Sequence, residues 1–493
     1  MNLGELATAH EGARLHGPAG LEISGLSYDS RMTGRGHLFA ALKGAKQDGL
    51  DFVKTAKRRG AVAVLSDRVP TIDIPWIEAK NPRAALADLA AAHFDAPAQR
   101  LSLSGVTGTN GKTTTAFLID AGLRNVSLTT GLMGTVETRI AGRPKPSTLT
   151  TPESLDLQRL LREMVDEGAT HAVLEVSSHA LMQERVRGLK FHAAVFTNLT
   201  RDHLDFHGGF EPYFQAKKRL FAHHLHPEGK AIVNMDDERG PSLVEAVGRA
   251  RCLTFGRSAG CDYRPLNLSV SLEGMTFSCA TPEGPVDVSS RLVGMFNVSN
   301  LLGAIGALSA LGLSARDAAL GVSRLDGVPG RMERVEAGQP FTIIVDYAHT
   351  DDALRNLLDT LRPLVKRRLI TVFGCGGDRD RSKRPLMGSV AAQRSDLVIA
   401  TSDNPRSEPP SGILDEIAQG FKNHSTPFKL IVDRREAMVA ALHAASPQDL
   451  VVIAGKGHET TQTIRERKLP FDDRLVAKEI LRDLRSGGAD ARS

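Results

Sequence analysis

A glycine-rich segment followed by lysine and threonine, GVTGTNGKT at residues 105–113, has the residue types and spacing to bind a phosphate group. Gly105, Gly111, Lys112 and Thr113 follow the pattern G-x-x-x-x-G-K-[ST] with one additional residue between the two glycines; in this pattern backbone N–H groups surround the phosphate oxygens. The lysine neutralises β- and γ-phosphate oxygens, and the threonine hydroxyl can coordinate Mg²⁺. The motif therefore predicts a nucleoside triphosphate site, but it does not indicate which molecule receives the phosphate.

Candidate metal ligands and a lysine pair follow this segment. Glu175 ends the apolar run HAVLE, and an acid at the end of a neighbouring strand is a common Mg²⁺ ligand beside a phosphate-binding loop. The segment TNLTRDHLDFHG contains four further possible ligands: Asp202, His203, Asp205 and His207. By pattern alone this segment fits a polar turn with a helix N-cap equally well. Lys217 and Lys218 lie on a predicted amphipathic helix, where such lysines are usually solvated.

These segments belong to a regular alternation of apolar and helical stretches that begins near residue 101. Continuous apolar runs such as LSLSGV, HAVLEVSS and AAVFTNL are typical of parallel strands buried on both faces of a sheet. Residues 261–293 alternate in polarity instead, which predicts short strands at an antiparallel edge. After the Gly- and Pro-containing segment DGVPGRME a second alternation begins, with strand candidates TIIVDYA, RLITVFG, DLVIATSD and DLVVIAG, and it predicts a second doubly wound sheet.

The first part of the chain reads as a smaller α/β unit. HLFAALKG and AVAVLSD have the composition of strands, and FVKTAKRRG between them has that of a helix. HFDAPAQR then forms a plausible linker. We therefore predict an α/β protein of three domains, at residues 1–98, 99–332 and 333–493, with a phosphate-loop sheet in the second and a Rossmann-like third domain.

Composition narrows the class of protein. The 493 residues, 41% hydrophobic and 24% charged, are ordinary for a globular chain of several domains. The net charge of +5 comes from interleaved acids and bases, which argues against a nucleic-acid partner. The four cysteines show no zinc spacing, as is typical of reduced thiols. There is no signal-peptide pattern and no apolar run of the ~20 residues that span a membrane, so we expect a cytoplasmic protein without membrane insertion.

Taken together, the motifs resemble those of the Mur ligases, in the order found in that family, over residues 22–475. The matching segments are GVTGTNGKTTT, LEVSSHAL, TNLTRDHLDFHG, GMFNVSNLLGAIG, GRMERV, VDYAHT, GCGGDRDRSKRP, SDNPRSEPP and GKGHE. The resemblance implies the three-domain Mur ligase architecture, with domains for the UDP group, ATP and the incoming amino acid. It implies an ATP-dependent carbon–nitrogen ligase of cytoplasmic peptidoglycan precursor synthesis. Such an enzyme joins UDP-MurNAc-L-Ala-D-Glu to a diamino acid through an acyl phosphate and releases ADP and phosphate.

The resemblance also implies roles for individual residues. Lys112, Glu175, His203 and Lys217 match catalytic positions, and the Mg²⁺ ligands would be Thr113, Glu175, His203 and a carbamylated Lys217 (N6-carboxylysine). Lys218 is the alternative if the alignment shifts by one residue. The ATP-binding positions are Gly108, Thr109, Asn110, Gly111, Lys112, Thr113, Thr114, Asn297, Asn300, Arg331, Asp346 and His349. Without the resemblance, Asn297 and Asn300 would be interpreted as helix-capping residues.

Two further groups match substrate-binding positions. The UDP-MurNAc-dipeptide group consists of Tyr28, Ser30, Ala45, Lys46, Gln47, Thr150, Thr151, Ser177, Gln183 and Arg185. Tyr28 stands where many members of the family have an aliphatic residue. The diamino acid group consists of Arg379, Asp403, Asn404, Pro405, Arg406, Gly455 and Glu459.

The tetrapeptide DNPR at residues 403–406 is typical of family members that use meso-diaminopimelate. Diaminopimelate resembles lysine with an additional carboxylate at its far end. An arginine can hold that carboxylate with two parallel hydrogen bonds, and a site without a cation would leave it unpaired. We therefore expect Arg406 to select diaminopimelate with help from Arg379, and Gly455 and Glu459 to receive the distal ammonium. Asn-Pro turn chemistry accounts for the same segment structurally, and the two interpretations are compatible.

Three alternatives remain open from the sequence. A lysine-adding Mur ligase is the nearest, and Arg406 argues against it. A folylpolyglutamate synthetase-like ligase shares the acyl-phosphate chemistry, but the N-terminal domain and DNPR disfavour it. A nucleotide-binding ATPase associated with nucleic acid would show turnover that responds to DNA or RNA and not to a diamino acid. We expect a monomer that uses ATP and Mg²⁺.

Overall fold

A computed structural model of the protein describes residues 1–44 and 47–489. Two of the predicted uridine-side residues, Ala45 and Lys46, lie outside the described residues. The chain forms two compact units. The first comprises Met1–Leu268, Phe277–Val288 and Phe296–Arg324, and the second comprises Ser269–Thr276, Ser289–Met295 and Leu325–Ser493.

The first unit begins with a five-stranded sheet in the order β1-β5-β4-β3-β2. Its strands are β1 (Arg14–His16), β2 (Gly25–Ser27), β3 (His37–Ala40), β4 (Ala61–Ser66) and β5 (Trp76–Glu78), and its helices are α1 (Leu3–Thr8), α2 (Val53–Arg59) and α3 (Pro82–His93). The strands are parallel except β1, which is antiparallel to β5. This arrangement confirms the strand–helix–strand pattern predicted from HLFAALKG, FVKTAKRRG and AVAVLSD.

An eight-stranded sheet in the order β13-β12-β11-β6-β10-β7-β8-β9 carries the phosphate-binding segment. Its strands are β6 (Ser102–Thr107), β7 (Thr130–Met133), β8 (Glu137–Ile140), β9 (Arg143–Pro146), β10 (His171–Glu175), β11 (Phe191–Phe196), β12 (Leu225–Asn234) and β13 (Cys252–Phe255). All neighbours from β13 to β7 are parallel, and β8 and β9 continue the sheet as antiparallel strands. Leu103, Val173, Leu174 and Val195 are fully buried, as expected for central strands covered on both faces.

Helices cover this sheet on both faces. They are α4 (Lys112–Asn125), α5 (Ser154–Asp166), α6 (Ser178–Met182), α7 (Leu204–His207), α8 (Phe210–His223), α9 (Gly240–Val247), α10 (Met295–Ala310) and α11 (Ala315–Ser323). The parallel order places β6 between β10 and β11, with Glu175 opposite Val106 and Phe196 opposite Thr107. Since parallel strands end at one edge, the segments after β6, β10 and β11 start side by side.

The predicted short strands of residues 261–293 form a separate three-stranded sheet in the order β14-β15-β16. Its strands are β14 (Arg264–Ser271), β15 (Gly274–Ala280) and β16 (Val286–Ser290). Short 3₁₀ helices occur at Gly49–Phe52, Pro97–Arg100, Arg249–Arg251, Arg362–Leu364 and Gln419–Phe421. In the part of the chain that the structure describes, no helix combines the length and apolar character needed to cross a bilayer.

The second unit contains a six-stranded sheet in the order β17-β18-β22-β19-β20-β21. Its strands are β17 (Glu333–Arg334), β18 (Thr342–Asp346), β19 (Leu369–Cys375), β20 (Leu397–Ser402), β21 (Phe428–Leu430) and β22 (Leu450–Ala454), and a hairpin follows with β23 (Thr461–Ile464) and β24 (Arg467–Pro470). Its helices are α12 (Asp351–Leu361), α13 (Lys383–Arg394), α14 (Pro410–Ala418), α15 (Arg434–Ala444) and α16 (Asp473–Ala489). The sheet is parallel apart from β17, which confirms the second doubly wound sheet.

A buried ion pair connects the last two helices to the strand ends of this unit. The Arg434 guanidinium donates to both carboxylate oxygens of Asp473, at 2.8 and 2.7 Å, and both side chains are fully buried. The same guanidinium donates to the carbonyl oxygens of Ser402 at 3.3 Å and Ala454 at 3.0 Å. The pair therefore holds the carboxyl ends of β20 and β22 at fixed positions.

Replacing Asp473 by Ala leaves the Arg434 guanidinium buried without its counter-ion. We expect the free energy of unfolding of the second unit to fall by about 3–5 kcal/mol. Urea denaturation of the full chain, followed by hydrogen exchange in peptides from residues 325–489, measures the change. Glu479→Ala is the matched control, because Arg435 and Glu479 link the same two helices through an exposed pair and its loss should cost less than about 1 kcal/mol. Equal losses in the two variants would contradict the expectation.

Candidate active site

The phosphate-binding loop, residues 108–111, joins the end of β6 to the start of α4. Gly108 has φ +153°, and a Cβ at this position would lie 1.8 Å from Thr197 Oγ1, so only glycine fits. The loop is held from β11, because Asn110 N donates to Asn198 Oδ1 at 2.9 Å. Lys112 Nζ lies over the loop and donates to the carbonyls of Gly108 and Thr109 at 3.0 and 2.8 Å. The geometry is that of a helix N-terminus that binds an anion.

Thr113 and Glu175 face each other beside this loop. Thr113 Oγ1 donates to Glu175 Oε2 at 3.0 Å, and both side chains are buried. Thr135 also contacts Glu175, since its backbone N–H donates to Oε1 at 2.7 Å and its hydroxyl to Oε2 at 3.0 Å. A hydroxyl and a carboxylate are hard oxygen donors, which suits Mg²⁺, an ion that takes few protein ligands and completes its shell with water and phosphate.

Lys217 is buried in α8 beneath the phosphate-binding loop. Its Nζ donates to the Gly108 carbonyl at 2.8 Å and lies 4.3 Å from the centre of the Tyr213 ring. Burial lowers the pKa of the Lys217 amine well below its usual value, and the charge of Lys112 lowers it further. A neutral amine at this position is chemically able to react with CO₂.

Histidines lie next to Lys217. The ring of His203 is 4.6 Å from that of His179 and 6.3 Å from that of Tyr213, measured between centroids. Burial lowers the pKa of His203 and brings the pKa of His179 to about 4, so both imidazoles are neutral near pH 7. His203 has φ +50° and its Nε2 lies 3.3 Å from the Asp202 carboxylate. Within the described residues no group of three or more His, Cys, Asp or Glu side chains is arranged to hold a metal ion.

Asn297 and Asn300 lie in the first two turns of α10, where both are buried. Asn300 Nδ2 donates to Asn297 Oδ1 at 2.8 Å, and Asn300 Oδ1 accepts from Thr115 Oγ1 at 3.4 Å. A Cβ at Gly111 would come within 2.4 Å of the same Asn300 oxygen. The structure therefore brings this amide pair against the phosphate-binding loop and α4.

Five of the predicted sugar- and peptide-binding residues form one network beside Glu175. The Thr151 hydroxyl donates to the Glu175 carbonyl at 2.7 Å and accepts from Ser177 N at 3.0 Å. The Arg185 guanidinium donates to the Thr151 carbonyl at 2.8 Å and to Gln183 Oε1 at 2.7 Å. Thr150 joins this network through Thr135, with hydroxyl oxygens 3.0 Å apart.

Of the residues predicted to bind the uridine, Tyr28, Ser30 and Gln47 are described, and they lie in loops next to strands of the smaller sheet in the same unit. The Tyr28 hydroxyl donates to the Asp156 carboxylate of α5, and burial raises the pKa of Tyr28. Arg185 is close enough to Tyr28 to affect that pKa. Ser30 is buried and Gln47 is exposed. Tyr28 is therefore connected to the network around Arg185, and Gln47 lies at the surface.

The remaining predicted nucleotide-binding residues belong to the second unit. The Asp346 carboxylate accepts from the backbone N–H groups of Met332 and Ala348, each at 2.8 Å, and burial raises its pKa. The Arg331 guanidinium lies 4.7 Å from the centre of the Tyr347 ring. Burial lowers the pKa of His349, whose Nδ1 is 2.9 Å from the Tyr347 carbonyl. Arg331, Asp346 and His349 are thus grouped around Tyr347 at the end of β18.

The predicted diamino acid residues meet at the carboxyl edge of the second sheet. Arg406 Nη1 donates to the Gly377 carbonyl at 2.7 Å, and Arg379 is exposed on the loop that follows Gly377. Asp403 is buried, and among the described residues its Oδ2 has no hydrogen-bond partner. A Cβ at position 455 would lie 2.7 Å from that oxygen. Because Gly455 has no side chain, the space beside the oxygen stays open. The edge therefore offers two guanidinium groups and one carboxylate oxygen that has no hydrogen-bond partner in the described part of the chain.

Asn404 and Glu459 form a second part of this group. Asn404 Nδ2 donates to Glu459 Oε2 at 2.8 Å, and the fully buried Lys456 donates to the same oxygen at 2.9 Å. Pro405, between Asn404 and Arg406, is buried. Lys456 also donates to the Thr461 carbonyl at 2.7 Å, so the hairpin of β23 and β24 is attached to this cluster.

The sequence did not identify every residue of these groups. Thr135 binds Glu175 from the turn before β8, and Asn198 supports the phosphate-binding loop from the segment after β11. Lys456 belongs to GKGHE, but its burial was not evident from the segment. Each acts through a contact with a distant part of the chain, and a short motif gives no signal for such contacts.

Three family models match the chain. They are the Mur ligase family catalytic domain at residues 22–94, the Mur ligase middle domain at residues 106–308, and the Mur ligase glutamate ligase domain at residues 330–457. Together they include the phosphate-binding loop, Glu175, Lys217, Arg331 and the DNPR segment.

Curated relatives align over nearly the whole chain. One from Solibacter usitatus is 46% identical over 98% of this chain and 98% of its own length, and one from Geobacillus kaustophilus is 44% identical over 98% and 100%. Both are named UDP-N-acetylmuramoyl-L-alanyl-D-glutamate–2,6-diaminopimelate ligase.

Solved structures agree in fold. A ligase of the same name is 35% identical, with a TM-score of 0.69 over 98% of this chain and 99% of that one. MurF from Acinetobacter baumannii is 22% identical over 98% of each chain with a TM-score of 0.67, which shows likeness of fold only. These comparisons confirm the predicted α/β Mur ligase fold. With relatives of 46% and 44% identity along nearly its full length, the chain belongs to the Mur ligase family.

Proposed function

We propose that the protein is an ATP-dependent ligase that adds meso-diaminopimelate to UDP-MurNAc-L-Ala-D-Glu in peptidoglycan precursor synthesis. The observation that carries this proposal is the position of the Arg406 guanidinium beside the loop of Arg379. At the same edge, Asp403 Oδ2 has no hydrogen-bond partner among the described residues. Diaminopimelate ends in one ammonium and one carboxylate, and this edge has a complementary group for each. The names of the relatives from Solibacter usitatus and Geobacillus kaustophilus support the same substrate.

The first chemical step is activation of a carboxylate. A carboxylate is a poor electrophile because its leaving group would be oxide, and transfer of the γ-phosphoryl group of ATP converts that oxygen into a good leaving group. Lys112, at the N-terminus of α4, would neutralise the transferring phosphate. The network of Thr151, Ser177 and Arg185 next to Glu175 would hold the peptide carboxylate that accepts the phosphate.

The second step is attack of the amine on the acyl phosphate, which forms a tetrahedral intermediate and then releases inorganic phosphate. The enzyme's main task in both steps is to orient the reactants and to balance crowded negative charge. Asp403 would accept hydrogen bonds from an ammonium of the diamino acid, and Arg406 would hold its distal carboxylate. Glu459, which Asn404 and Lys456 hold in place, would receive the distal ammonium beside Gly455.

Mg²⁺ would be held by Thr113 and Glu175, whose oxygens already lie 3.0 Å apart. When bound, the ion supplies charge neutralisation for the triphosphate. Thr135 fixes the Glu175 carboxylate through two hydrogen bonds, so this ligand keeps one orientation. His203 would be a ligand of a second site beside Lys217.

Lys217 is the residue that we propose to be carbamylated. Burial lowers the pKa of the Lys217 amine and so favours its neutral form, and only a neutral amine adds CO₂. The adduct would replace a potential positive charge by an anionic oxygen donor, which favours a cation beside the loop. We also propose that the enzyme acts in the cytoplasm as a monomer.

The choice of amino acid tests the proposed function. Purified protein with ATP, Mg²⁺ and the UDP-dipeptide should release ADP rapidly with meso-diaminopimelate and poorly with L-lysine, because lysine leaves Arg406 without a carboxylate. Arg406→Ala should raise the KM for diaminopimelate by about 10- to 100-fold and leave the KM for ATP nearly unchanged. Equal or faster turnover of the wild-type protein with lysine would overturn the assignment.

Replacement of Glu175 by Gln tests the Mg²⁺ ligands. The amide keeps the shape of the side chain but removes its charge, and we expect the Mg²⁺ concentration for half-maximal ADP release to rise at least about tenfold. Glu137→Gln is the control, because this carboxylate of β8 in the same sheet pairs with Arg139. An unchanged Mg²⁺ requirement in Glu175→Gln would exclude this carboxylate as a ligand.

Loss of Lys217 tests the carbamate. Lys217→Ala should abolish ADP release, and short carboxylic acids such as acetate should restore part of it by supplying the missing anionic oxygen. Wild-type activity should also fall as the pH is lowered through the depressed pKa of Lys217, since the protonated amine does not add CO₂. Lys218→Ala, which changes the less buried neighbour, should retain activity. Full activity in Lys217→Ala would refute the proposal.

A further inference from the structure

A buried arginine outside the predicted binding groups connects the two loops of the diamino acid edge. Arg384, in the first turn of α13, is fully buried. Its guanidinium donates to both oxygens of Glu408, at 2.9 and 2.8 Å, and to the Gly376 carbonyl at 3.3 Å. Gly376 begins the loop that carries Arg379, and Glu408 ends the segment that carries Arg406, so one side chain contacts both.

The loops are also bonded directly to each other. Asp378 N donates to Glu408 Oε1 at 2.6 Å, and Gly377 N donates to the Asn404 carbonyl at 2.9 Å. The approach at Gly377 is so close that a Cβ there would lie 2.0 Å from the Pro405 carbonyl. The two loops therefore form one rigid piece, whose ionic anchor is Glu408 with Arg384.

The backbone and the side chain of Arg406 are both fixed by contacts with neighbouring segments. Its backbone has φ +50°, a left-handed conformation that costs a non-glycine residue about 1 kcal/mol or more. Hydrogen bonds to β23 and its turn maintain it, since Arg406 N donates to the Thr463 carbonyl at 3.1 Å and Arg465 N donates to the Arg406 carbonyl at 2.6 Å. The side chain is then fixed by its bond to Gly377 O, on the loop that Arg384 anchors.

We propose that Arg384 and Glu408 are positioning residues that fix the Arg406 guanidinium for the distal carboxylate of the diamino acid without touching the substrate. This inference rests on the proposed function. Arg384 suits the role because its planar fork binds the Glu408 carboxylate with two parallel hydrogen bonds and still reaches the Gly376 carbonyl. Lysine, a single point donor, could not make this set of bonds. The pKa of Glu408 is lowered to about 2, first because of its hydrogen bonds to Arg384, so the pair stays ionised under assay conditions.

Glu416 provides a matched comparison. It accepts from Arg384 at 2.9 Å, as Glu408 does, but it lies on α14 and its other contact is with the exposed Arg381. Glu408→Gln and Glu416→Gln each remove one carboxylate from the Arg384 guanidinium. Only the Glu408 carboxylate also accepts a hydrogen bond from Asp378 N, so only Glu408→Gln weakens the link between Arg384 and the loop of Asp378. A role in stability alone predicts similar effects of the two changes on activity.

The experiment measures KM and kcat for ADP release with each variant of the full chain. We expect Glu408→Gln to raise the KM for diaminopimelate about tenfold, with the KM for ATP and for the UDP-dipeptide unchanged, and Glu416→Gln to raise none of them by more than about twofold. Glu408→Asp, which keeps the charge but shortens the side chain, should give an intermediate KM. Thermal unfolding of each variant confirms that the protein measured is folded, and Glu408→Asp decides the question if Glu408→Gln does not fold.

A double variant separates positioning from general disturbance. If Glu408 acts through Arg406, then Glu408→Gln added to Arg406→Lys should change the diaminopimelate KM much less than it does in the wild-type protein. Fully additive effects, or equal KM values in Glu408→Gln and Glu416→Gln, would overturn the inference. Failure of the wild-type protein to use diaminopimelate would instead refute the proposed function, so the two outcomes are distinguishable.

Discussion

Two lysine side chains share one carbonyl oxygen, and this crowding of like charge organises the surroundings of the phosphate-binding loop. Lys112 and Lys217 both donate to the carbonyl of Gly108, at 3.0 and 2.8 Å. Two ammonium groups cannot remain charged so close together in a buried place without a large cost. Burial in α8 lowers the pKa of Lys217, and the charge of Lys112 lowers it further. In the function that we propose, Lys112 at the helix N-terminus binds phosphate, and the lowered pKa of Lys217 favours the neutral amine that adds CO₂.

The parallel sheets explain how distant segments reach these positions. In the first unit β6 lies between β10 and β11, so the phosphate-binding loop, Glu175 and the segment of His203 start from adjacent strand ends. In the second unit β18, β22, β19 and β20 are neighbours, and VDYAH, GKGHE, GCGGDRD and DNPR follow them in that order across the sheet. Ligand groups in such sheets collect at the carboxyl ends of the strands.

The elements that follow local patterns could be predicted from the sequence, and the contacts that join them could not. The apolar run before Gly108 and the spacing to Thr113 define a strand, a loop and a helix within one window. The support of Glu175 by Thr135 depends on a turn 40 residues earlier in the chain, and neither segment signals the other. The lysine pair shows the same limit, because Lys217 and Lys218 differ in burial through the packing of α8, which composition does not reveal.

The buried arginines of the second unit are better explained by the backbone groups that they hold in position than by a contribution to the free energy of unfolding. Arg384 and Arg434 are both fully buried, and a buried ion pair often contributes no more to stability than well-packed apolar residues of similar size. Each guanidinium, however, also binds backbone carbonyls at strand ends: Gly376 for Arg384, and Ser402 and Ala454 for Arg434. An apolar side chain could fill the same volume but could not hold those carbonyls. The two arginines therefore support this edge at the carboxyl ends of β19, β20 and β22, and the loops that follow these strands can be rigid although they contain little regular structure.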